Sequence, residues 1–400
     1  MTESKNIFVY FSTKNEDIWL GTVYVDVIRG KEIFSFEYSK EALKRNLSNI
    51  ILDEDISFTS GRQFKNDSSS PYHFLEDSSP DRWGRNLIKR NASNRQLVFT
   101  DYLLLISDIS RMGALRYKLD EDDDFLSKDN NIPPLKFINE FENIAYHYEE
   151  FGLDDSWKKL LLPGSSLGGA RPKATFYDAN GDLYLAKFNH RNDQYDISKI
   201  EYLTYLLAVK VGINVSESKL LSVNDNRSVF ITKRFDRNKN ERYHYSSFMT
   251  LLNAKDGESM SHSYFEMVEV IIKMSNNPEA DLKELFKRIA FYNLIHNYDD
   301  HLRNHSMIFK DGGWRLSPCY DINISFDADR LTLSIDGNED TSNDYLIENA
   351  KYFRLDKKEA RDIVSKMRND ISVSFKYYCQ DLKIDKDLAK RLFAVLDIEQ

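Results

Sequence analysis

Several side chains that can do chemistry stand together in the segment NYDDHLRNHSMIF, residues 297–309. Aspartates, histidines, an arginine and asparagines fill its first part, and an apolar stretch typical of a strand follows. These residue types allow four interpretations: metal ligands, a hydrolase site, the catalytic loop of a phosphotransferase, or a solvated loop without a role.

The spacing of two residues in this segment favours the phosphotransferase. Asp299 and Asn304 stand in the pattern Asp-x-x-x-x-Asn, which separates the catalytic base from the magnesium-binding asparagine of a protein-kinase catalytic loop. The stretches SMIFK, DGG and WRLSP predict a hairpin next, and Asp321 follows it, where such a site places another metal-binding carboxylate. Nucleotide phosphates need magnesium held by oxygen ligands and a carboxylate that orients or accepts a hydroxyl proton. The order therefore predicts Asp299 as the base and Asn304 and Asp321 as magnesium ligands.

A metal hydrolase is the second interpretation of the same loop. Its ligands would be drawn from a compact set of acids and imidazoles: His296, Asp299, Asp300, His301 and His305. The sequence has no matching His/Asp cluster elsewhere, so this interpretation ranks below the kinase. A loop whose acids are merely solvated or cap neighbouring elements also stays open.

A glycine-rich segment, LLPGSSLGGARPKATF, precedes a predicted strand. Gly164, Gly168 and Gly169 would let backbone N–H groups approach phosphate oxygens closely. The segment is neither a Walker loop nor G-x-G-x-x-G, and a flexible surface turn is the competing interpretation. Lys173 follows the glycines, where it could touch phosphate or simply lie at the surface.

Lys187 lies within the apolar strand LYLAKF. A lysine is costly there unless it has an anionic partner. Kinases use such a strand lysine to hold the α- and β-phosphates. Glu201 in the next predicted helix is a candidate partner, although an exposed helix glutamate is the plainer interpretation. A glycine-rich loop, a strand lysine, a helical second half, D-x4-N and a final aspartate occur in the order found in kinases.

The elements that would position these residues divide the chain into three parts. Residues 1–118 are rich in short β-type stretches such as IFVYF, WLGTVYVDVI and EIFSFEY, with a short helix expected at EALKRNLSNI. An acidic, proline-ended linker opens residues 119–240, which carry the glycine loop and predicted nucleotide-binding strands. Helical periodicity dominates residues 241–400. The pattern predicts an α+β fold with a β-rich N-terminal subdomain and a mostly helical C-terminal lobe.

Composition narrows the class of protein. The chain has 400 residues, 41% hydrophobic and 30% charged, which is ordinary for a globular protein. Its net charge of -9 argues against binding nucleic acid unaided. Two cysteines, Cys319 and Cys379, cannot build a disulfide framework. We find no signal-like apolar segment and no run of the ~20 apolar residues that a membrane span needs. These features predict a cytoplasmic protein.

Four segments, SSLGGARPKA, RFDR, DDHLRNHS and LSPCYDI, together resemble the HipA family, the serine/threonine-kinase toxins of bacterial toxin–antitoxin pairs. The resemblance is strongest over residues 160–330, and SPDRWGRNL and SRMGALRY extend it to the front of the chain. It implies a two-lobed, protein-kinase-like fold that uses ATP and Mg²⁺.

The resemblance also implies roles for individual residues. Asp299 corresponds to the catalytic aspartate, and Asn304 and Asp321 correspond to the magnesium ligands. The residues matched to ATP contacts are Gly168, Gly169, Ala170, Arg171, Pro172, Lys173, Lys187, Lys233, Arg234, Phe235, His301, Leu302, Arg303, Asn304, Tyr320 and Asp321. Ser166 matches a serine that such kinases phosphorylate in themselves, and its neighbour Ser165 is the other candidate. The chain departs from the family pattern at Arg171-Pro172.

The partners implied are a protein substrate, for which an aminoacyl-tRNA synthetase is the family's best-known kind, and a HipB-like antitoxin. No helix-turn-helix is evident, so DNA would be reached only through that antitoxin, and no membrane is involved. Three alternatives of other classes remain at this point. They are a kinase of small molecules, a metal-dependent phosphohydrolase using residues 296–305, and a nucleotide-sensing partner without turnover.

Overall fold

A computed structural model of the chain describes residues 4–65, 67, 69–91, 96–126, 132–151, 171–224, 227–326 and 330–398. The strands are β1 (Lys5–Ser12), β2 (Asp17–Ile28), β3 (Lys31–Tyr38), β4 (Gln63–Phe64), β5 (Leu115–Lys118), β6 (Lys173–Tyr177), β7 (Leu183–Lys187), β8 (Ser218–Asn224), β9 (Arg227–Lys233), β10 (Arg237–Asn238), β11 (Glu241–Arg242), β12 (His244–Ser247), β13 (Ser306–Lys310) and β14 (Gly313–Leu316).

The helices concentrate in the second half of the chain. They are α1 (Lys40–Lys44), α2 (His73–Asp77), α3 (Arg82–Asn91), α4 (Phe99–Leu105), α5 (Ile138–Phe151), α6 (Ile197–Lys210), α7 (Phe248–Leu251), α8 (Tyr264–Met274), α9 (Pro278–Ile295), α10 (Asn343–Glu348), α11 (Lys357–Asp381) and α12 (Lys386–Val395). Short 3₁₀ turns occur at Leu135–Phe137, Ser259–Ser261, Leu302–Asn304 and Ala350–Phe353.

The N-terminal part is built on an antiparallel sheet in the order β4-β3-β2-β1-β5. Its strands alternate buried and more exposed residues, as a sheet with one covered face requires. Strand β5 returns to pair with β1, for example Leu115 with Phe11. The stretch DYLLLISDIS, which periodicity leaves open between helix and strand, contains helix α4.

A second antiparallel sheet, in the order β6-β7-β9-β8, forms the middle of the chain. The predicted hairpin at ATFYDANGDLYLAKF is confirmed as β6 and β7, with Lys173 directly opposite Lys187. Helix α6 begins after the N-cap Asp196 and packs against this sheet. Gly212 ends the helical segment with a φ of 74°, a conformation that glycine adopts without strain.

The C-terminal lobe surrounds helix α9. Its apolar residues at helical spacing have no exposed surface: Leu282, Leu285, Phe286, Ile289 and Ala290. The three-stranded sheet β12-β13-β14 lies at the edge of this lobe, and its β13–β14 hairpin confirms the hairpin predicted after the 297–305 loop. The fold is α+β, with a β-rich front and a helical back, as predicted.

The N-terminal part is tied to the rest of the chain by buried polar contacts. The Asp77 carboxylate accepts hydrogen bonds from the Ser247 backbone N–H at 2.8 Å and the Thr250 hydroxyl at 2.7 Å. The buried Arg234 guanidinium donates to the Ser110 carbonyl at 2.9 Å. The three-part division at residues 118 and 240 stays a prediction. Within the described ranges, no helix has both the length and the apolar character needed to cross a membrane.

Candidate functional site

A cleft lies between the second sheet and the C-terminal lobe. Residues from β7, α6, β8, β9 and the segment after β14 line it: Leu185, Lys187, Glu201, Tyr205, Val215, Ser216, Ser218, Phe230, Thr232, Lys233, Arg234, Phe235, Cys319, Tyr320, Asp321 and Ile322. Half of these residues are apolar or aromatic, and Lys187, Glu201 and Asp321 form a charged group among them. This combination suits a ligand with a flat apolar part and an anionic part.

Lys187 is the centre of the charged group. It ends strand β7, in which every residue is buried. Its Nζ donates to Glu201 Oε1, in the second turn of α6, and to Asp321 Oδ1 at 2.6 Å. The anionic partner expected for a strand lysine is therefore present, and a second carboxylate shares it.

Burial and charge act in opposite directions on these groups. Burial alone would lower the pKa of Lys187, but the carboxylates of Asp321 and Glu201 outweigh it and raise the pKa. Burial raises the pKa of Glu201 despite its bond to the lysine. Burial also disfavours charge on Asp321, yet Lys187 and then Lys173 hold the pKa of Asp321 below its usual value. Lys187 is cationic and Asp321 anionic near neutral pH.

The loop containing Asp299 begins where helix α9 ends. His296 adopts a left-handed conformation with φ 55°, and the chain turns away from the helix. Asp299 is exposed to solvent. Asn304, at the end of a 3₁₀ turn, donates from Nδ2 to the Asp299 carbonyl at 3.1 Å. This contact fixes the spacing of the two residues across the loop.

The segment around Asp321 is joined to that loop by hydrogen bonds. The Tyr320 hydroxyl donates to the Arg303 carbonyl at 2.9 Å, and the Asn323 N–H donates to Asn297 Oδ1 at 2.8 Å. His301 lies near enough to favour the charged form of Asp321. Asp321 itself has a φ of 56°. These hydrogen bonds hold the 297–304 loop against the segment that supplies Asp321.

The donor atoms present fit magnesium. Asn304 Oδ1 is buried and accepts no hydrogen bond from any described residue, which is costly unless a cation or another donor occupies the site. Asp321 supplies an ionised carboxylate on the neighbouring loop. Amide and carboxylate oxygens are what a hard divalent cation prefers, with phosphate oxygens and water completing its shell.

Two of the ligands that a metal hydrolase would need, Asp300 and His305, are bonded to each other instead. His305 Nε2 and Asp300 Oδ1 lie 2.6 Å apart in the core, and the Tyr264 hydroxyl donates to the same carboxylate. Over the ranges that the structure describes, no group of three or more His, Cys, Asp or Glu side chains is arranged to hold a metal.

Several predicted nucleotide contacts are engaged with other protein groups. Lys173 forms a buried ion pair with Asp81 at 2.7 Å, and Arg171 pairs with Asp193. Lys233 pairs with Asp182.

Lys233, Arg234 and Phe235, which the family resemblance places in the hinge strand beside the base, differ in what they offer the cleft. The Arg234 guanidinium is committed to Asp236 and to backbone carbonyls, so its backbone is what remains for the cleft. Phe235 lines the cleft and stacks on Tyr320 with ring centroids 5.4 Å apart. A stacked aromatic pair offers a flat surface beside the hinge.

The remaining predicted residues occupy different environments. Leu302 is fully buried and anchors the loop in the core. Arg303 Nη2 lies 3.4 Å from Asp256 Oδ1. The Pro172 carbonyl accepts from the Phe188 N–H at 2.9 Å. Gly168, Gly169, Ala170 and the two serines Ser165 and Ser166 lie outside the described residues. The roles assigned to all these positions stay predictions.

Sequence reasoning missed two kinds of residue. Apolar cleft residues such as Val215 and Ile322 have no distinguishing pattern in the sequence. Asp81 entered the sequence analysis only within SPDRWGRNL, and nothing local to it indicates that its partner is Lys173. The available signal was that a lysine buried on a strand requires a carboxylate from somewhere in the fold.

Comparison with known proteins identifies the family and the fold. A profile of the family described as HipA-like C-terminal domain matches residues 165–375. A Haemophilus influenzae protein named "Putative kinase" is 28% identical over 40% of this chain and 52% of its own length. A similarly named protein of Sinorhizobium fredii is 24% identical over 45% of this chain and 43% of its own length. The chain thus spans about half the length of the curated relatives it matches.

A solved structure shares the fold over nearly the whole chain. It is the Shewanella oneidensis MR-1 HipA toxin in complex with HipB and operator DNA. The match has a TM-score of 0.70 and 17% identity, and covers 97% of this chain and 94% of the other. The predicted two-lobed, HipA-like fold is confirmed.

Proposed function

The chain belongs to the HipA-like C-terminal domain family, and on that premise we propose that it is an ATP-dependent serine/threonine protein kinase that requires Mg²⁺. The contact that supports this most directly is the Lys187 Nζ bridge to Glu201 and Asp321 within the cleft. A cationic strand lysine held by a helix glutamate and by an aspartate placed to bind metal is the arrangement that protein kinases use for phosphoryl transfer from ATP.

Each group of residues around the cleft has a separate role in the proposed reaction. The apolar walls and the hinge Lys233–Phe235 hold the base, with the backbone of the hinge within reach of its edge. Lys187 binds the phosphates. Asn304 and Asp321 would hold magnesium, which neutralises phosphate charge when bound. Asp299, exposed at the mouth of the loop, orients the acceptor hydroxyl and takes its proton as the oxygen bonds to the γ-phosphorus and ADP leaves.

We further propose that the protein acts in the cytoplasm as the toxin of a toxin–antitoxin pair. A HipB-like DNA-binding antitoxin would be its partner, and DNA would be reached only through that antitoxin. The similar Shewanella structure contains HipB and operator DNA with its HipA. The net charge of -9 suits a basic partner. The substrate would be a protein hydroxyl, with an aminoacyl-tRNA synthetase as one candidate, and the loop serines Ser165 and Ser166 would be modified in cis or trans.

The deciding experiment is incubation of the purified chain with magnesium and γ-labelled ATP, followed by intact mass measurement and peptide mapping. We expect one added phosphate, mapped to Ser165 or Ser166, in the wild type and none in Asp299→Ala. Asp122→Ala, an exposed aspartate in the acidic linker, is the matched control and should label like the wild type.

Other outcomes redirect the proposal. Label in Asp299→Ala equal to the wild type would exclude Asp299 as the base. Absence of phosphoprotein from a folded chain that binds ATP would favour a small-molecule kinase or a nucleotide sensor. A pull-down from the native host that recovers no small DNA-binding protein would count against the antitoxin pairing.

A further inference from the structure

Two buried lysines face each other at the inner end of the second sheet. Lys173 on β6 and Lys187 on β7 are direct cross-strand partners. Their side chains are almost fully inaccessible to solvent. Like charges in this position destabilise a sheet, and each buried ammonium also loses its hydration. Both lysines therefore need carboxylates of their own.

The carboxylate for Lys173 comes from the N-terminal part of the chain. Asp81, immediately before helix α3, places Oδ2 2.7 Å from Lys173 Nζ. Its other oxygen, Oδ1, accepts the Gly84 N–H at 2.8 Å, which fixes the carboxylate at the start of the helix. Only 3% of the Asp81 side chain is exposed. The pair is thus held rigidly and away from water.

The Asp81–Lys173 pair and the Lys187 group form one electrostatic unit. Lys173 stabilises the charged forms of Asp321 and Glu201, and Asp321 in turn disfavours charge on Asp81. A triphosphate bound at Lys187 and Asp321 would therefore also experience the charge of Lys173. How strongly it does so depends on where Asp81 holds that ammonium.

We propose that Asp81 is a positioning residue that fixes the cationic Lys173 beside the phosphate end of the cleft, so that the N-terminal part of the chain contributes to nucleotide affinity. This inference rests on the proposed function. Without the Asp81 carboxylate, Lys173 would lose the buried partner 2.7 Å from its Nζ and would shift from the position that Asp81 fixes. That shift weakens the attraction for phosphates and leaves the contacts with the base unchanged.

Comparison of ATP with adenosine tests the inference, because the two ligands share the base and ribose and differ only in the phosphates. Calorimetric titration with MgATP and with adenosine would be made on the wild type, Asp81→Asn, Asp81→Glu and Asp26→Asn. Asp26 pairs with Arg62 at the surface of the N-terminal sheet and is the matched control. We expect Asp81→Asn to weaken MgATP about tenfold or more, the effect of a lost charge-assisted contact, with adenosine affinity unchanged. Asp81→Glu should recover part of the loss, and Asp26→Asn should behave as the wild type.

Each alternative result has a distinct meaning. Equal loss of ATP and adenosine affinity in Asp81→Asn would show a merely structural role and overturn the inference, as would unchanged or tighter ATP binding. If Asp81→Asn does not fold, Asp81→Glu decides, because it keeps the charge but displaces it and should weaken ATP selectively. Failure of the wild type to bind MgATP more tightly than adenosine would instead overturn the proposed function itself.

Discussion

Asp300 and His305 form a fully buried hydrogen-bonded pair across the base of the 297–305 loop, with Oδ1 and Nε2 2.6 Å apart. Asn304 and the 3₁₀ turn lie between them, so a side-chain contact closes the loop in addition to its backbone bonds. The Tyr264 hydroxyl donates to the same carboxylate. The acid and imidazole that suggested metal ligands in the sequence instead hold the loop in shape.

Replacement of His305 by Leu is expected to damage both stability and transfer. It leaves a buried carboxylate with a single hydroxyl partner, and breaking a buried pair in this way costs about 3–5 kcal/mol. Urea unfolding would measure the loss, and phosphate transfer should fall with it because Asn304 loses its support. His262→Gln, which breaks the more exposed His262–Glu266 pair, should cost less than about 1 kcal/mol. Equal costs for the two variants would contradict a supporting role for the buried pair.

Replacement of Asn304 by Ala is expected to weaken magnesium binding while changing the stability of the fold little. The buried Oδ1 has no protein donor among the described residues, so its removal relieves an unpaired acceptor while Nδ2 loses one bond to the Asp299 carbonyl. We expect the free energy of unfolding to change by no more than about 1 kcal/mol. The magnesium concentration needed for half-maximal transfer should rise at least about tenfold. An unaltered magnesium titration would remove Asn304 from the metal site.

Lys187→Met should abolish transfer and also destabilise the chain. Glu201 and Asp321 would then face each other without the cation they share, and their repulsion adds to the cost of burial. Thermal unfolding in the absence of nucleotide would detect the loss. Lys219→Met, in the exposed Lys219–Glu217 pair of the same sheet, is the control and should retain stability and activity. A Lys187→Met variant as stable as this control would mean that the carboxylates are not held by the lysine.

The burial of His244 is expected to make the free energy of unfolding depend on pH in the acid range. Its ring lies between Phe11 and Trp314, 5.8 and 5.3 Å away between centroids, and Nε2 contacts the Ile51 carbonyl at 3.4 Å. Burial lowers the pKa of His244 from 6.5 to about 4, with the Ile51 carbonyl opposing this only weakly. Between pH 6.5 and 4 the unfolded chain binds the proton and the folded chain does not. The free energy of unfolding therefore falls as the pH drops through this window, by about 3 kcal/mol in total.

Urea unfolding at several pH values between 4 and 7 checks this. His244→Gln cannot take up the proton in either state, so its curve should lack that share of the decline, and the difference between the two proteins should narrow towards pH 4. Parallel curves for the wild type and His244→Gln would show that other groups account for the acid sensitivity.

The sequence predicted those parts of the site whose signals are local. Lys187 lies inside an apolar strand and therefore requires a counter-ion, which Glu201 in the following helix supplies. The hairpin between Asn304 and Asp321 was predicted because its turn residues and alternating strands are adjacent in the chain. Strand β8 was missed because it lies at the edge of its sheet, where partly exposed residues blur the alternation.

Contacts between distant segments could not be predicted in the same way. Nothing near Asp81 indicates Lys173, and nothing near Asp300 indicates that Tyr264 would bond to its carboxylate. Such pairings depend on how the sheets and helices pack, which a single sequence does not reveal. Helix α11 also runs to Asp381, well beyond the segment KKEARDIVSKM in which its periodicity is clear.

The segment that matches the family profile depends on contacts with residues that precede it. Its buried polar groups bond to the N-terminal part of the chain. The family profile begins at residue 165, yet Lys173, Ser247 and Arg234 all bond to groups that precede it. A chain cut at that boundary would expose the partners of three buried polar groups at once. The boundary of the family profile is therefore not the boundary of the packed structure. Fragments for crystallography, mutational libraries or fusion proteins should keep the N-terminal sheet whole, because β5 pairs with β1 and His244 packs on Phe11.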